Sequence, residues 1–169
     1  MEDFIFTTCC FTGHRPNKFP WGYNETDERC ISYKQKIKTV INELYLKGIR
    51  WFIIGGAQGF DTWVGEEIIE LKKAHSDVIF EIAIPCRTQD ALWTKKAKER
   101  YQNLIDNANK LTIISHEYTN TCMQQRNDYM LRKSSIVVAG YIEGVSGGTS
   151  TTIKKAQKQN KETYIIPIN

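Results

Sequence analysis

Two short stretches combine glycines with groups able to hold an anion: Gly55-Gly56-Ala57-Gln58-Gly59-Phe60-Asp61 and Ser146-Gly147-Gly148-Thr149. Glycine tolerates the angles of a tight turn and lets main-chain N–H groups come close to a ligand. A helix that starts in such a turn points unpaired N–H groups at it. In the first stretch Gly55, Gly56, Ala57 and Gly59 form the turn, and Asp61 is placed to cap the helix that follows. In the second, Gly147 and Gly148 permit close approach, while Thr149 can cap a helix or bond a phosphate oxygen. Neither stretch has the G-x-G-x-x-G pattern of a dinucleotide site or the lysine of a Walker A loop. A third stretch, Thr12-Gly13-His14-Arg15-Pro16, adds a hydroxyl, an imidazole and a guanidinium. Arg15 can grip phosphate or carboxylate with two prongs, whereas a lone histidine such as His14 more often serves structure. Further on, Arg126 and Met130 lie one helical turn apart, and Asn127 places an amide on an otherwise apolar stripe. Each stretch also has a plain structural reading: a strand-to-helix turn, a solvated loop, an amide bracing a loop from the core.

These residues need elements to bring them together. Short β-rich apolar runs fall at 4–10, 51–56, 78–85, 111–115, 135–140 and 163–168. Between them run stripes with helical spacing: Ile37, Val40, Ile41 and Leu44; Val64, Ile68 and Leu71; Ala97, Tyr101, Leu104 and Ile105; Met123, Asn127, Met130 and Leu131. A last helix at about 149–160 has Ile153 and Ala156 as its clear anchors. This alternation predicts an α/β fold: one Rossmann-like domain over 1–169, a three-layer sandwich around a mostly parallel sheet of about six strands. Ligands of such folds bind beyond the carboxyl ends of the strands. All three anion-binding stretches follow strands, so they share one edge. The longest irregular segment, 12–27, carries two prolines and two glycines and reads as functional.

Composition narrows the function classes. Of the 169 residues, 41% are hydrophobic and 25% charged, which suits a globular chain rather than a disordered one. No apolar run approaches the ~20 residues of a membrane span, and the start lacks the basic and apolar regions of a signal peptide, so a cytoplasmic protein without a membrane partner is expected. Five cysteines without a C-x-x-C spacing read as buried reduced thiols, with Cys9 and Cys10 on opposite faces of a strand. The three histidines are far apart, and no metal or cofactor is expected. A net charge of +4 suits an anionic ligand but is too small to imply nucleic acid. Lys95, Lys96, Lys98 and Arg100, beside Trp93 and Tyr101, read as a solvated helix face before they read as a single-strand groove. The sequence leaves a homo-oligomer open.

Taken in order, these stretches, together with Tyr141-Ile142-Glu143-Gly144-Val145, resemble the YpsA-like proteins of the SLOG superfamily, which joins Smf/DprA with the LOG proteins. The resemblance runs from about residue 4 to residue 156. It implies a Rossmann-like domain whose two glycine turns hold a nucleotide or a nucleotide derivative. Gly55, Gly56 and Gly59 match the first turn, and Gly147, Gly148 and Thr149 the second. Arg126 and Met130 match the Arg-x-x-x-Met pattern of LOG phosphoribohydrolases, whose arginine is catalytic. Those enzymes carry Pro-Gly-Gly-x-Gly-Thr-x-x-Glu at the second turn, with a catalytic glutamate. Here Ser150, Thr151 and Thr152 follow instead, and Asp61, Asp128 and Glu143 are the nearest acids. The leading expectation is therefore a binding or sensing domain for an AMP-, ADP-ribose- or NAD-like ligand, without efficient catalysis. Its expected site is Gly13, His14, Arg15, Gly55, Gly56, Ala57, Gly59, Asp61, Arg126, Asn127, Gly147, Gly148 and Thr149. A nucleotide phosphoribohydrolase, an N-glycosidase with Arg126 as candidate catalytic residue, is the alternative. DprA-like single-stranded DNA binding is the second alternative, with weak affinity.

Overall fold

A computed structural model describes residues 2–168. Its strands are β1 (Thr8–Gly13), β2 (Trp51–Ile54), β3 (Ile79–Cys86), β4 (Lys110–Ser115), β5 (Ile136–Gly140) and β6 (Glu162–Ile166). The helices between them are α1 (Glu28–Leu46), α2 (Phe60–Ala74), α3 (Lys95–Asn107), α4 (Cys122–Lys133) and α5 (Gly148–Lys158). The strands form one sheet in the order β4-β3-β2-β1-β5-β6, and every neighbouring pair is parallel. The fold is thus α/β and Rossmann-like. The chain moves outward from β1 to β4 and then returns to lay β5 on the other side of β1. Strand order reverses there, which opens a crevice beyond the carboxyl ends of β1 and β5.

The first strand starts later than the apolar run at 4–10 suggests. Glu2–Thr7 form a 3-10 helix, and pairing begins with Thr8 opposite Trp51. Just before it the Thr7 carbonyl accepts the Arg50 N–H at 2.9 Å, so the 3-10 helix hands over directly to the ladder. Phe4 instead sets its ring edge-on to Trp51 at 6.0 Å.

Alternation along the strands divides the core in two. Cys9, Phe11, Phe52, Ile54, Phe80 and Ile82 face α1, α2 and α3 in a large cluster. Cys10, Ile53, Ala83 and Val137 face Met130 and Leu131 of α4 and Ala156 of α5 in a much smaller one. Neighbouring Cys9 and Cys10 thus fall on opposite faces, and all five thiols are buried and free. Among the described residues no helix is long and apolar enough to cross a membrane.

The segment at 12–27 is better anchored than its prolines and glycines suggest. After β1 it makes a 3-10 turn at Pro16–Lys18, then buries Phe19 and Trp21. Phe19 lies 5.0 Å from the Trp21 ring, 4.9 Å from Trp63 of α2 and 5.6 Å from Tyr33 of α1. Glu25 closes the anchor. Its carboxylate accepts from Arg100 Nη1 at 2.6 Å and from Lys34 Nζ at 2.6 Å, while Arg100 also donates to Glu66. Burial alone would raise the Glu25 pKa, but the hydrogen bonds from Arg100 and Lys34 prevail and hold it at about 2. A depressed carboxylate stabilises the fold above its unfolded value of about 4.5 and loses that contribution as pH falls toward 2. Arg100→Met should therefore cost about 1–3 kcal/mol at pH 7 in urea unfolding, with the gap to wild type closing as pH falls through 4 toward 2. A gap independent of pH would contradict this account.

Candidate functional site

The reversal point holds a cleft of about 380 Å³. Three segments supply its walls. Phe11 to Arg15, with Asn17 and Lys18, come from the end of β1 and the turn beyond it; Ala57 and Asp61 come from the β2–α2 turn; and Ser146 to Thr149 come from the start of α5. Met123, Arg126, Asn127 and Met130 of α4 form the remaining wall.

Arg126 is the residue around which this cleft is organised. It is 6% exposed, although its side chain carries a full charge. Nη1 donates to the Gly55 carbonyl at 2.7 Å, and Nε donates to Asn127 Oδ1 at 2.8 Å. Nη2 has no acceptor among the described residues, so a fixed guanidinium keeps one edge unspent. Burial pulls the Arg126 pKa down from its ordinary value, and nearby Asp61 works against that. The stripe along α4 is rotated from the expected one. Cys122, Arg126, Met130 and Leu131 are buried, so the polar residue facing inward is Arg126, while Asn127 is half-buried beside it. Gly55 makes this possible, because a Cβ there would overlap the guanidinium.

The first glycine turn lies behind the cleft and shapes it. Gly56 and Gly59 have φ of 72° and 85°, which side chains rarely adopt. A Cβ on Gly56 would press on Ile82 and Tyr101 at 3.1 Å, and one on Gly59 would meet the His14 carbonyl at 2.9 Å. Asp61 does not cap α2 as the sequence suggested. Gly59 is the N-cap, and Asp61 lies inside the first turn. Phe60 draws the helix start inward, filling a slot where a Cβ on Gly13 or Gly140 would collide with its ring. Asp61 Oδ2 turns back to accept the Ala57 N–H at 3.2 Å, and Oδ1 is buried without a hydrogen-bond partner among the described residues. Burial pushes this carboxyl up to about 6, against the pull of Arg126.

At the second turn Gly147 is the N-cap of α5. Ser150 Oγ accepts the Gly147 N–H at 3.1 Å and donates to the Gly147 carbonyl at 2.9 Å. Thr151 and Thr152 donate to the Gly147 and Gly148 carbonyls, so these hydroxyls are spent on the helix itself. The Gly148 and Thr149 N–H groups and the Thr149 hydroxyl make no hydrogen bond among the described residues. Opposite them, Arg15 and Lys18 are exposed at the mouth, with Arg15 Nη2 3.5 Å from Met123 Sδ.

His14, part of the cleft wall, has a bracing role. Its Nε2 accepts the Ile142 N–H at 3.0 Å, and its ring lies 5.4 Å from that of Tyr141, holding the approach to the second turn. Asp128 is paired with Lys155 at 2.8 Å, and Glu143 lines a separate hollow. The cleft lining also takes in Phe11, Thr12, Asn17, Lys18, Met123, Met130 and Ser146, which the expected site left out. The signal for Lys18 lay in the loop after β1, where the 3-10 turn folds it back so that its N–H reaches the Arg15 carbonyl at 3.1 Å.

Comparison with known proteins adds the family. The model described as the YspA SLOG family (YpsA) matches residues 9–168. The chain belongs to this family. A UPF0398 protein of Halalkalibacterium halodurans is 26% identical over 92% of this chain and 83% of its own length. The SPbeta prophage-derived protein YoqJ of Bacillus subtilis is 30% identical over 76% of this chain and 82% of its own. Among solved structures, DNA processing protein A of Helicobacter pylori, described with its single-stranded DNA binding mode, aligns with a TM-score of 0.66 at 18% identity. That alignment covers 99% of this chain and 67% of that one. The Streptococcus pneumoniae protein of the same name gives 0.64 at 16% identity, and this chain spans about half of it (52%). At such identities the likeness is one of fold.

Two predictions follow from this packing. Gly55→Ala should displace the guanidinium and lower stability by about 1–3 kcal/mol in chemical unfolding; an unchanged midpoint would show that Arg126 adapts without cost. Burial lowers the His14 pKa from 6.5, so His14 is neutral in the fold, and its contribution is lost as pH falls from 6.5 through the lower folded value. Protonation of Nε2 removes the acceptor for Ile142. Hydrogen exchange at the Ile142 amide, corrected for intrinsic pH dependence, should speed up between pH 7 and pH 5 in wild type. It should be fast at both in His14→Ala.

Proposed function

We propose that the cleft binds a phosphate-bearing, nucleotide-type ligand such as AMP, ADP-ribose or NAD, and that it does so without efficient hydrolysis. The observation that carries this reading is Arg126: a charged group 6% exposed, held by two hydrogen bonds, with Nη2 left over at the cleft. A buried cation with a free donor favours an anion strongly, because the cost of orienting and desolvating it is met in folding. The α5 N-terminus adds two N–H groups unpaired among the described residues and its dipole, and Arg15 and Lys18 add exposed positive charge at the mouth. Phe11, Met123 and Met130 supply apolar wall for the rest of the ligand. The volume, about 380 Å³, is that of a small-molecule site. Residence in the cytoplasm belongs to the same reading.

N-glycosidic cleavage builds positive charge on the sugar and calls for a carboxylate beside it. After the second turn, α5 offers hydroxyls bonded to its own backbone. Asp61 is the one acid that lines the cleft among the described residues, which is the specific support for the phosphoribohydrolase alternative. Its Oδ1 is shut away from solvent and its Oδ2 is held by Ala57, a geometry suited to bracing the turn. For single-stranded DNA, Lys95, Lys96 and Lys98 are exposed on α3, whereas Arg100 is committed to Glu25 and Glu66. Such a surface supports weak, salt-sensitive contact.

Calorimetry with AMP, ADP-ribose and NAD should show binding of at least one, weakened roughly 10- to 100-fold by Arg126→Met with the fold intact. Equal affinity in that variant would refute the reading. Chromatography of the same mixtures should show no free base at enzyme-like turnover. Base release abolished by Asp61→Asn would establish the phosphoribohydrolase instead.

A further inference from the structure

The sheet face covered by α4 and α5 is incompletely filled at its other end. A second hollow, of about 280 Å³, opens there, at the amino ends of β1, β2 and β4 and the last turn of α4. Its apolar lining is Phe4, Ile5, Trp51, Ile53 and the Tyr129 ring. On its floor sits Glu81, a carboxylate 1% exposed. Both oxygens are engaged: Oε1 accepts from Trp51 Nε1 at 3.0 Å, and Oε2 accepts from Thr112 Oγ1 at 2.9 Å and Tyr129 OH at 2.7 Å. One buried acid therefore fixes the orientation of two aromatic walls.

Cations stand over those walls. Lys110 Nζ lies 5.7 Å from the Trp51 ring centroid, and Arg132 and Lys133 lie 5.6 Å and 5.8 Å from that of Tyr129. Lys110 approaches Glu81 at 3.8 Å, while Arg132 and Lys133, both exposed, enter no ion pair among the described residues. Three positive charges thus surround one internally satisfied negative charge. We propose that this hollow is a second ligand site, separate from the cleft, which takes a small planar aromatic anion: the ring between Trp51 and Tyr129, the acid group toward Arg132 and Lys133. The aromatic faces provide apolar area held rigid before binding, and the unpaired cations provide charge complementarity without having to break an existing pair. A neutral ring would gain only the first of these, and a simple inorganic anion only the second.

Naphthalene-2-carboxylate is a suitable probe, because it lacks the phosphate and ribose proposed for the cleft. In heteronuclear NMR of the full chain, the Trp51 indole N–H, assigned through Trp51→Phe, should shift and saturate, together with the amides of Lys110 and Tyr129. The neutral 2-naphthalenemethanol should bind about tenfold more weakly or worse, and the Arg132→Glu, Lys133→Glu double variant should lose affinity for the carboxylate by a similar factor. Both substitutions are on exposed positions, and an otherwise unchanged spectrum reports that the fold is intact. The absence of saturable shifts at Trp51 up to about 5 mM, or equal affinity in the double variant, would overturn the proposal. Self-association that the probe competes away and the double variant abolishes would assign the hollow to a second copy of the chain, and would also overturn it. Shifts confined to residues 146–149 would place the probe in the cleft and would overturn the proposal as well. Neither outcome bears on AMP binding there.

Discussion

A guanidinium held in the interior with one edge unspent constrains everything near the cleft. An ion removed from water must have partners, and among the described residues two accept its hydrogen bonds: a carbonyl at Gly55 and an amide oxygen at Asn127. Space for the ion comes from the side chain that Gly55 lacks, and its field reaches Asp61, which sits across the same turn. Turn, helix start and α4 register are thus three answers to one electrostatic problem. Any residue at position 55 other than glycine would reopen it.

Helix α4 carries this constraint across the molecule. Near its start, Met123, Arg126 and Asn127 face the cleft; near its end, Tyr129, Arg132 and Lys133 border the hollow at the opposite edge of the sheet. The helix rests on the smaller of the two cores, where Met130 and Leu131 meet short side chains such as Ala83 and Ala156. Small partners bring the helix close to the sheet but leave less apolar surface to fill its ends. On the other face Phe19, Trp21, Tyr33 and Trp63 interleave in a large aromatic cluster around the start of α1 and α2.

Much of the architecture was legible in the sequence because its signals are periodic. Alternating apolar runs and helical stripes are local, and they determined the element order and the strand ends beyond which the cleft opens. The glycine turns were legible for the same reason, being short and compositionally unusual. Other features depended on contacts that no spacing records. Whether Arg126 or Asn127 faces inward is a rotation of about 100° on a helix, decided by the pocket that Gly55 leaves. Asp61 looked like a cap because it precedes an apolar helix, yet Phe60 pulls the start of that helix inward ahead of it. β1 starts late because Glu2–Thr7 wind into a 3-10 helix, and apolar composition alone does not separate such a turn from a strand. The hollow around Glu81 joins residues of four strands, the N-terminal 3-10 helix and α4, so its carboxylate was just one polar position within an apolar run.

The slot that Phe60 occupies has a consequence for anyone who would redesign this cleft. One ring bears on Gly13 and Gly140 at once, and both glycines lie on the two strands that flank the reversal point. The floor is therefore an interlocked three-part joint, in which a larger residue at 13 or 140 demands a smaller one at 60 and a smaller residue at 60 leaves a void. Arg15, Asn17, Lys18 and Met123 at the rim have no comparable entanglement. Diversity for a new ligand is best introduced at that rim, while the joint beneath is inherited whole.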